Sequence, residues 1–569
     1  MTRSPIYFVT GAAGFVGRHV CKLLTNSGFE VRAMVRGEDA ELTRLGVKLW
    51  LGDLWDKNML QVAISEANVI IHCAGDARFG NGSHYHKENV ELTEHIIQAA
   101  KHNSKNLLRF VYISTIGAID RAKGDQCVSL LTEDSPAFPT SDYGRSKLQA
   151  ENAVGNSDLP FSIIRPAMVV GDDMRSDSHF SVFAQQSLTR SLVARLGWTG
   201  KFSVVHVDDL ANGILTVATN QNAVSGTYFC AGEVISISDF FIQCSPEKFR
   251  IPLSQISRVA KHFTKWMPFS LKAMLFPALT ASDDKLRKLG WSPRYSAQDA
   301  LAEVINREKF RINPDLSPGG QTVITGAASG LGRALAIYLS PRRERLLLID
   351  KDGAALEELS ASLGNCTTSV VDLADEAEVD ALLTSAKWYV HNVTELFACA
   401  GIGLRGRMQD ISIENHRKMF AINVLARIAL AKVAIGSMRK RHFGRVILIS
   451  SSSAFQPLPY MATYAATNSA LLSLGESWGA EVANDNVQIM TVCPGGMQTN
   501  FQKSGGVKEI EGEKLMTPDA VVSEIIEGLR QQKSTLMVSF RSFAMSLLAR
   551  SLPRSLSVKL WRSLMEKMR

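Results

Sequence analysis

A chain of 569 residues is too long for a single hydrophobic core, and domains of about 100–200 residues each make it a multidomain protein. Its composition, 46% hydrophobic and 21% charged, is that of a globular chain. A net charge of +8 without a basic patch interleaved with aromatics gives no support to a nucleic-acid partner.

The first apolar run, Ile6 to Val9, leads into Thr10-Gly11-Ala12-Ala13-Gly14-Phe15-Val16-Gly17 and a helical stretch. A strand, a glycine turn and a helix in that order form a dinucleotide fingerprint. Gly11 permits the tight turn, Gly14 lets a pyrophosphate approach the backbone, and Gly17 lets the helix pack closely on the sheet. The alternative is a glycine-rich turn without a ligand. The second run, Val31–Val35, ends at Arg36. An arginine there suits a ribose 2′-phosphate, so NADP is expected in this half unless Arg36 is only a solvated charge. Asp53 and Leu54 follow the third strand, at the adenine edge. Val69–Cys73, Phe110–Ile113 and Phe161–Ile164 read as further buried strands joined by crossover helices. Tyr143 and Lys147 lie four residues apart and share one face of a helix, behind a strand that ends in Ser114-Thr115. An ammonium beside a phenol is expected to lower the tyrosine pKa toward working pH and fit it for proton transfer.

Residues 251–279 are apolar and basic and nearly lack acids, so they suit either a membrane surface, a pocket for an apolar substrate, or a plain helical cap. Asn313-Pro314-Asp315-Leu316-Ser317-Pro318-Gly319-Gly320 reads as a linker. The scheme then repeats. Thr322–Ile324 precedes Thr325-Gly326-Ala327-Ala328-Ser329-Gly330-Leu331-Gly332, with Gly326, Gly330 and Gly332 as the second fingerprint. Leu346–Ile349 ends at Asp350, which can accept from both ribose hydroxyls and repels a 2′-phosphate, so NAD is expected here unless Asp350 is only a turn residue. Asp372 and Leu373 fall at the adenine edge, and Leu396–Cys399, Val446–Ile449 and Val487–Val492 complete the strands. The expected architecture is α/β, with two tandem Rossmann-type domains built on doubly wound parallel sheets.

From Arg541 to the end the chain carries seven Lys or Arg residues against one acid, Glu566, among Leu, Phe, Trp and Met. This suggests either an amphipathic membrane-surface helix broken at Pro553 or a terminal helix docked on its own domain. The eight cysteines form no CxxC pair, which argues against a zinc site or disulfide framework, and no metal is expected. A strand starting at Ile6 leaves no room for a signal peptide, and no uninterrupted apolar run reaches 18 residues. A cytoplasmic protein is expected, with room for peripheral membrane contact and for a homo-oligomer.

Residues 10–310 resemble the extended short-chain dehydrogenase/reductases, through Tyr143-Gly-Arg-Ser-Lys147 with Glu151, Arg165-Pro166 and His206-Val-Asp-Asp-Leu-Ala211. Thr132-Glu-Asp-Ser-Pro136 looks more like the hydroxysteroid- and isoprenoid-type members of that branch. The resemblance implies that Tyr143 is the acid/base, that Lys147 binds the nicotinamide ribose and tunes Tyr143, and that Thr115 or Ser114 bonds the reacting oxygen. His72-Cys73-Ala74-Gly75 would line the cofactor edge.

Residues 320–540 resemble the classical branch. There the resemblance implies a relay of Asn423, Ser451 and Tyr464, with Cys493-Pro494-Gly495 and Thr499 holding the carboxamide of nicotinamide. Two positions depart from that branch. Tyr464-Ala-Ala-Thr-Asn468 has asparagine where the lysine belongs, and the usual Asn-Asn-Ala-Gly reads Ala398-Cys399-Ala400-Gly401. Asn468 can hydrogen-bond a ribose but supplies no charge. Either the second domain binds cofactor with weak turnover, or another cation replaces the lysine in space. The expected domains are 1–312, a linker 313–320, 321–540 and a basic tail 541–569. The expected activity is NAD(P)-dependent interconversion of alcohol and ketone on an apolar, lipid-, steroid- or polyketide-like small molecule. Alternatives are sugar-nucleotide epimerisation or dehydration by the first half, and a non-catalytic dinucleotide binder or sensor in the second.

Overall fold

The computed structural model describes residues 4–567 apart from 78–83, 103–105, 120–129, 172–173, 175–177, 189–195, 246–250, 253–274, 276–278, 318, 390–391, 484, 500–514, 540–543, 545 and 548–551. Most of the apolar-basic segment 251–279 therefore lies outside the described residues, as does Cys127. The chain forms two compact units, Met1–Ile305 and Asn306–Arg569.

In the first unit, β1 (Ile6–Thr10), β2 (Glu30–Val35), β3 (Lys48–Leu51), β4 (Val69–His72), β5 (Arg109–Ile113) and β6 (Phe161–Pro166) are followed by β7 (Met168–Val170), β8 (Leu196–Gly197), β9 (Lys201–His206) and β10 (Gly226–Cys230). Seven of these make one parallel sheet in the order β10-β6-β5-β4-β1-β2-β3. β1, β4 and β5 are buried along their whole length, because helices cover both faces of the sheet. The strand order reverses between β1 and β4, and ligands of such sheets bind beyond the carboxyl ends at that point. A small sheet of β7, β9 and β11 (Glu233–Ser236), and a short pairing of β8 with β12 (Ile251–Pro252), lie outside the main one.

The second unit repeats the plan with β13 (Gln321–Thr325), β14 (Leu346–Asp350), β15 (Cys366–Val370), β16 (Val393–Ala398), β17 (Gly444–Ile449), β18 (Val487–Cys493) and β19 (Thr535–Met537). All seven are parallel, in the order β15-β14-β13-β16-β17-β18-β19. The boundary between the units falls inside the helix Ala297–Ile312, before the expected linker. The end of that helix packs on the second sheet, where the Arg445 guanidinium stacks 3.8 Å from the Phe310 ring and donates to the Phe310 carbonyl at 2.6 Å.

The continuous helical run Ile413–Lys440 is long and apolar enough to cross a membrane by length and composition. Half of its most apolar 18-residue stretch is packed inside the unit, where Ile422, Ala426, Leu430 and Ala434 join the core under β16 and β17. The tail helix Arg554–Lys567 begins directly after Pro553. It docks on its own unit: Met565 is buried, its carbonyl accepts from Arg405, and Glu566 accepts from the Tyr460 hydroxyl.

Candidate active sites

Both glycine turns are built to a tolerance that excludes a side chain. Gly11 has a left-handed φ of +66°, and a Cβ there would sit 2.7 Å from the Ala74 nitrogen. A Cβ on Gly17 would fall 2.1 Å from the Gly11 carbonyl oxygen, so the third glycine sets how closely the helix Phe15–Asn26 approaches the turn. The second domain matches this: Gly326 has φ +67°, and a Cβ on Gly332 would lie 2.2 Å from the Gly326 oxygen. Gly330 also has a positive φ and packs on Thr499. Both fingerprint helices start without a side-chain cap, at Gly14 and Ser329, leaving their first N–H groups for an anion. This cradle fits a dinucleotide pyrophosphate.

In the first domain Thr10 and β4 close the floor. Thr10 Oγ1 bonds His72 Nδ1 at 2.8 Å and accepts from the Ala74 N–H, and His72 Nε2 reaches Thr93 at 3.0 Å. Burial pulls His72 down to about 3, with Lys147 adding to the shift, so this ring stays neutral. Tyr143 and Lys147 sit on the helix Asp142–Gly155, capped by Ser141. A buried two-toothed ion pair joins that helix to β6, Arg165 Nε to Glu151 Oε1 at 2.9 Å and Nη2 to Oε2 at 2.6 Å. The Thr115 hydroxyl, in the turn after β5, hydrogen-bonds the Tyr143 phenol, which selects Thr115 over Ser114 as its neighbour. Lys147 Nζ donates to the Ile113 carbonyl at 2.6 Å and lies 4.3 Å from the Tyr112 ring.

The expected lowering of the tyrosine pKa is not what this arrangement produces. Burial pushes the Tyr143 phenol up to about 12, opposed by the Thr115 hydroxyl and reinforced by Tyr85 and Asp76. Burial also pulls the Lys147 ammonium down to about 8, against Glu151 and Cys73. For Tyr143, desolvation outweighs the opposing Thr115 hydrogen bond because the whole cluster is enclosed.

Of the residues expected to meet adenosine, Arg36 is exposed beyond β2, and Asp53 is exposed with its carboxylate turned back to the Trp55 N–H, while Leu54 packs against the core. The sequence reading missed Arg18. This buried guanidinium runs from the Ala13 carbonyl in the fingerprint turn to Asp39 and Glu41. It also missed Asn89. That side chain takes the Asp76 N–H, gives to the Asp76 carbonyl and reaches Ser146 Oγ at 3.0 Å. Asn423 does the same in the second domain, with Ile402 and Thr467. Both asparagines lie in a π-helical turn, His86–Glu91 and Ala421–Leu425. The shared Asn-Val pair, Asn89-Val90 and Asn423-Val424, was the available signal.

In the second domain Asp350 holds the Ala328 N–H of the fingerprint turn at 3.1 Å, so its carboxylate lies beside the glycine cradle. Asp372 accepts from the Ala374 N–H, and Leu373 is buried. Ser451 hydrogen-bonds the Tyr464 phenol, and Ser452 N–H is held by the Pro494 carbonyl. Asn468 donates to the Tyr464 carbonyl and gives its own carbonyl to Ser450. Burial raises the Tyr464 phenol; Ser451, then Arg427, then Asn468 pull it back. Arg427 is a buried residue that the sequence reading did not single out. Among the described residues no His, Cys, Asp and Glu side chains cluster in a way that could hold a metal ion.

Residues 7–232 match the NAD-dependent epimerase/dehydratase family, and residues 321–509 match the short-chain dehydrogenase family. The chain belongs to the short-chain dehydrogenase/reductase superfamily. Its two Rossmann-type domains come from different branches, and a nicotinamide dinucleotide is the cofactor type that these families support. A bovine dehydrogenase/reductase SDR family member 7B is 28% identical over 266 residues, 43% of this chain and 82% of that protein. A 2-keto-3-deoxy-L-fuconate dehydrogenase from Xanthomonas campestris is 30% identical over 183 residues, 32% of this chain and 59% of that protein. Among solved structures, UDP-glucuronic acid 4-epimerase from Bacillus cereus with UDP-glucuronic acid and NAD is 22% identical, covering 53% of this chain and 99% of its own, with TM-score 0.43. A short-chain dehydrogenase from Sphingobium yanoikuyae with NADPH is 21% identical, covering 41% and 97%, with TM-score 0.36. As a short-chain dehydrogenase/reductase pair, the chain is an oxidoreductase.

Proposed function

We propose that the first domain interconverts an alcohol and a ketone on an apolar substrate, using NADP(H), with Tyr143 as the proton donor or acceptor. The observation that carries this reading is the Thr115–Tyr143 hydrogen bond, on the same helix turn as Lys147 and at the carboxyl end of β5. Bound nicotinamide would supply the hydride. Thr115 orients the phenol, and Lys147 keeps a positive charge near it. A phenol raised to about 12 is protonated at neutral pH, ready to give its proton to a carbonyl oxygen as reduction requires. The apolar and basic composition of residues 251–279 favours an apolar substrate, and together with the basic tail it favours contact with a membrane surface. Oxidation of reduced cofactor by the full chain, followed with a panel of apolar ketones, tests the reading. No ketone-dependent oxidation in the panel would count against it.

Arg36 supports NADP(H), since Arg18 already takes up Asp39 and Glu41 near the end of β2. Arg36→Ala should weaken NADPH binding by about tenfold while NADH changes little, the loss of one exposed charge-assisted contact. Calorimetric titration with each cofactor checks this, and equal losses would remove Arg36 from the specificity argument.

The Lys147 ammonium should be lost as pH rises through about 8. The groups that face it are Glu151, Cys73 and His72. The sign follows from burial, which disfavours the charged form and lowers a lysine pKa. First-domain turnover should therefore decline above about pH 8, and Lys147→Met should remove that inflection. A flat profile to pH 10 would show that the charge of Lys147 is not used.

A second reading, sugar-nucleotide epimerisation or dehydration, is favoured by the epimerase/dehydratase match over residues 7–232. It predicts NAD retained through purification and released on denaturation, with no net consumption of cofactor.

A further inference from the structure

The two domains can be placed in register through their hydrogen bonds. Thr10 holds the Ala74 N–H, and Thr325 holds the Ala400 N–H. Asn89 clamps the backbone of Asp76, and Asn423 clamps that of Ile402. Ile113 and Ile449 each end the strand that precedes the hydroxyl beside the tyrosine. In the first domain Lys147 Nζ donates to the Ile113 carbonyl at 2.6 Å. In the second, the Ile449 carbonyl accepts from Arg427 Nη1, also at 2.6 Å.

We propose that Arg427 supplies to Tyr464 the positive charge that Lys147 carries in the first domain, so that the second domain keeps a charged relay despite Asn468. The cation has moved from the tyrosine helix to the helix behind the π-turn, four residues after Asn423. The matching position in the first domain, four residues after Asn89, is Thr93, an uncharged side chain that bonds the Asn89 carbonyl, His72 and Tyr112.

Three observations support this placement. First, Arg427 is only 4% exposed, and its hydrogen bonds go to the backbone carbonyls of Ala400 and Ile449. Among the described residues no carboxylate pairs with it, so its field is not cancelled locally. A buried, unpaired guanidinium is costly, and such groups concentrate at working sites. Second, both departures from the classical pattern adjoin it. Cys399 stands in its electrostatic field, and the carbonyl of Asn468 is tied through Ser450 to the strand end that Arg427 holds. A Cβ at Gly401 would come within 2.8 Å of Arg427 Nη2, so the glycine leaves the room that the guanidinium uses. Third, Arg427 and Tyr464 act on each other electrostatically, and the charge favours the phenolate. Arg427 acts through Tyr464 and is thus a positioning residue. Burial lowers its own pKa to about 10, above the value of about 8 for Lys147, so the charge persists to higher pH.

The inference rests on the reading of Tyr464 as a proton carrier, yet its test needs neither substrate nor cofactor. Fluorotyrosine is placed at position 464 of the full chain and its phenol is titrated by 19F NMR. Arg427→Gln should raise the titration midpoint by about one pH unit or more, the size of one close opposite charge. Adding Asn468→Lys to Arg427→Gln, which returns a cation to the tyrosine helix, should bring the midpoint back. An unchanged midpoint in folded Arg427→Gln overturns the proposal. If Arg427→Gln alone does not fold, the double variant decides: a wild-type midpoint supports the charge swap and a raised one overturns it. Calorimetric titration of NADH against a chain with Gly326→Val reports separately on whether the second domain binds cofactor. A cofactor failure there would leave the tyrosine result intact.

Discussion

Tyr143→Phe should reduce turnover by the first domain about 10²–10⁴-fold while leaving cofactor binding within about twofold, as expected when a general acid is removed without disturbing the cradle. The phenol oxygen touches the Thr115 hydroxyl, and nothing in the glycine turn depends on it. The ring itself packs against Tyr85 at 5.7 Å between centroids, a contact that phenylalanine preserves. The loss should therefore fall on kcat and kcat/KM together, with the ground-state affinity for NADPH unmoved. The measurement is steady-state kinetics beside a calorimetric titration. Near-normal turnover would remove Tyr143 from the chemistry. A parallel loss of NADPH affinity would show instead that the helix Asp142–Gly155 had shifted.

Glu395→Ala should destabilise the second domain by about 3–5 kcal/mol, the cost of removing one partner from a buried ion pair. Glu395 lies on β16 with no exposure. Its Oε2 accepts from Arg343 Nε at 2.5 Å and Thr322 Oγ1 at 2.9 Å, and its Oε1 lies 3.7 Å from Arg445 Nη1. Without the carboxylate, two guanidiniums that are 1% and 2% exposed would face each other in the interior. Arg445 already feels this strain: burial pulls it down to about 10, Glu395 opposes that, and Arg343 reinforces it. The same network ties the end of the helix Ala297–Ile312 to the second sheet through Phe310. Hydrogen exchange in peptides spanning 393–398 and 444–449 should accelerate sharply, with urea denaturation giving the magnitude. A loss under about 1 kcal/mol would show that water or rearrangement replaces the carboxylate.

What could be read directly from the chain was local. The glycine turns, the buried strands and the Tyr143/Lys147 spacing each depend on residues a few positions apart, and their geometry follows from the period of a helix or the pleat of a strand. The strand bounds agree to within a few residues: Val446–Ile449 lengthens to Gly444–Ile449, and Leu396–Cys399 shifts to Val393–Ala398. Asp350 reaches the fingerprint turn because β13 and β14 are adjacent and parallel, which the alternating pattern already implied.

The remaining features depended on strand order and burial. Arg18 meets Asp39, Asn89 meets Asp76, and Glu395 meets Arg343 and Arg445 only after the sheets are assembled. The direction of the Tyr143 shift was misread from sequence because spacing shows a charge nearby but not how far water is excluded. The second domain shows the same division. Its sequence reveals that the lysine of the tyrosine motif is gone, since that motif is a single helical turn. Only the tertiary structure shows a guanidinium at the end of β17, because Arg427 and Ile449 are brought together by the packing of a helix against the sheet.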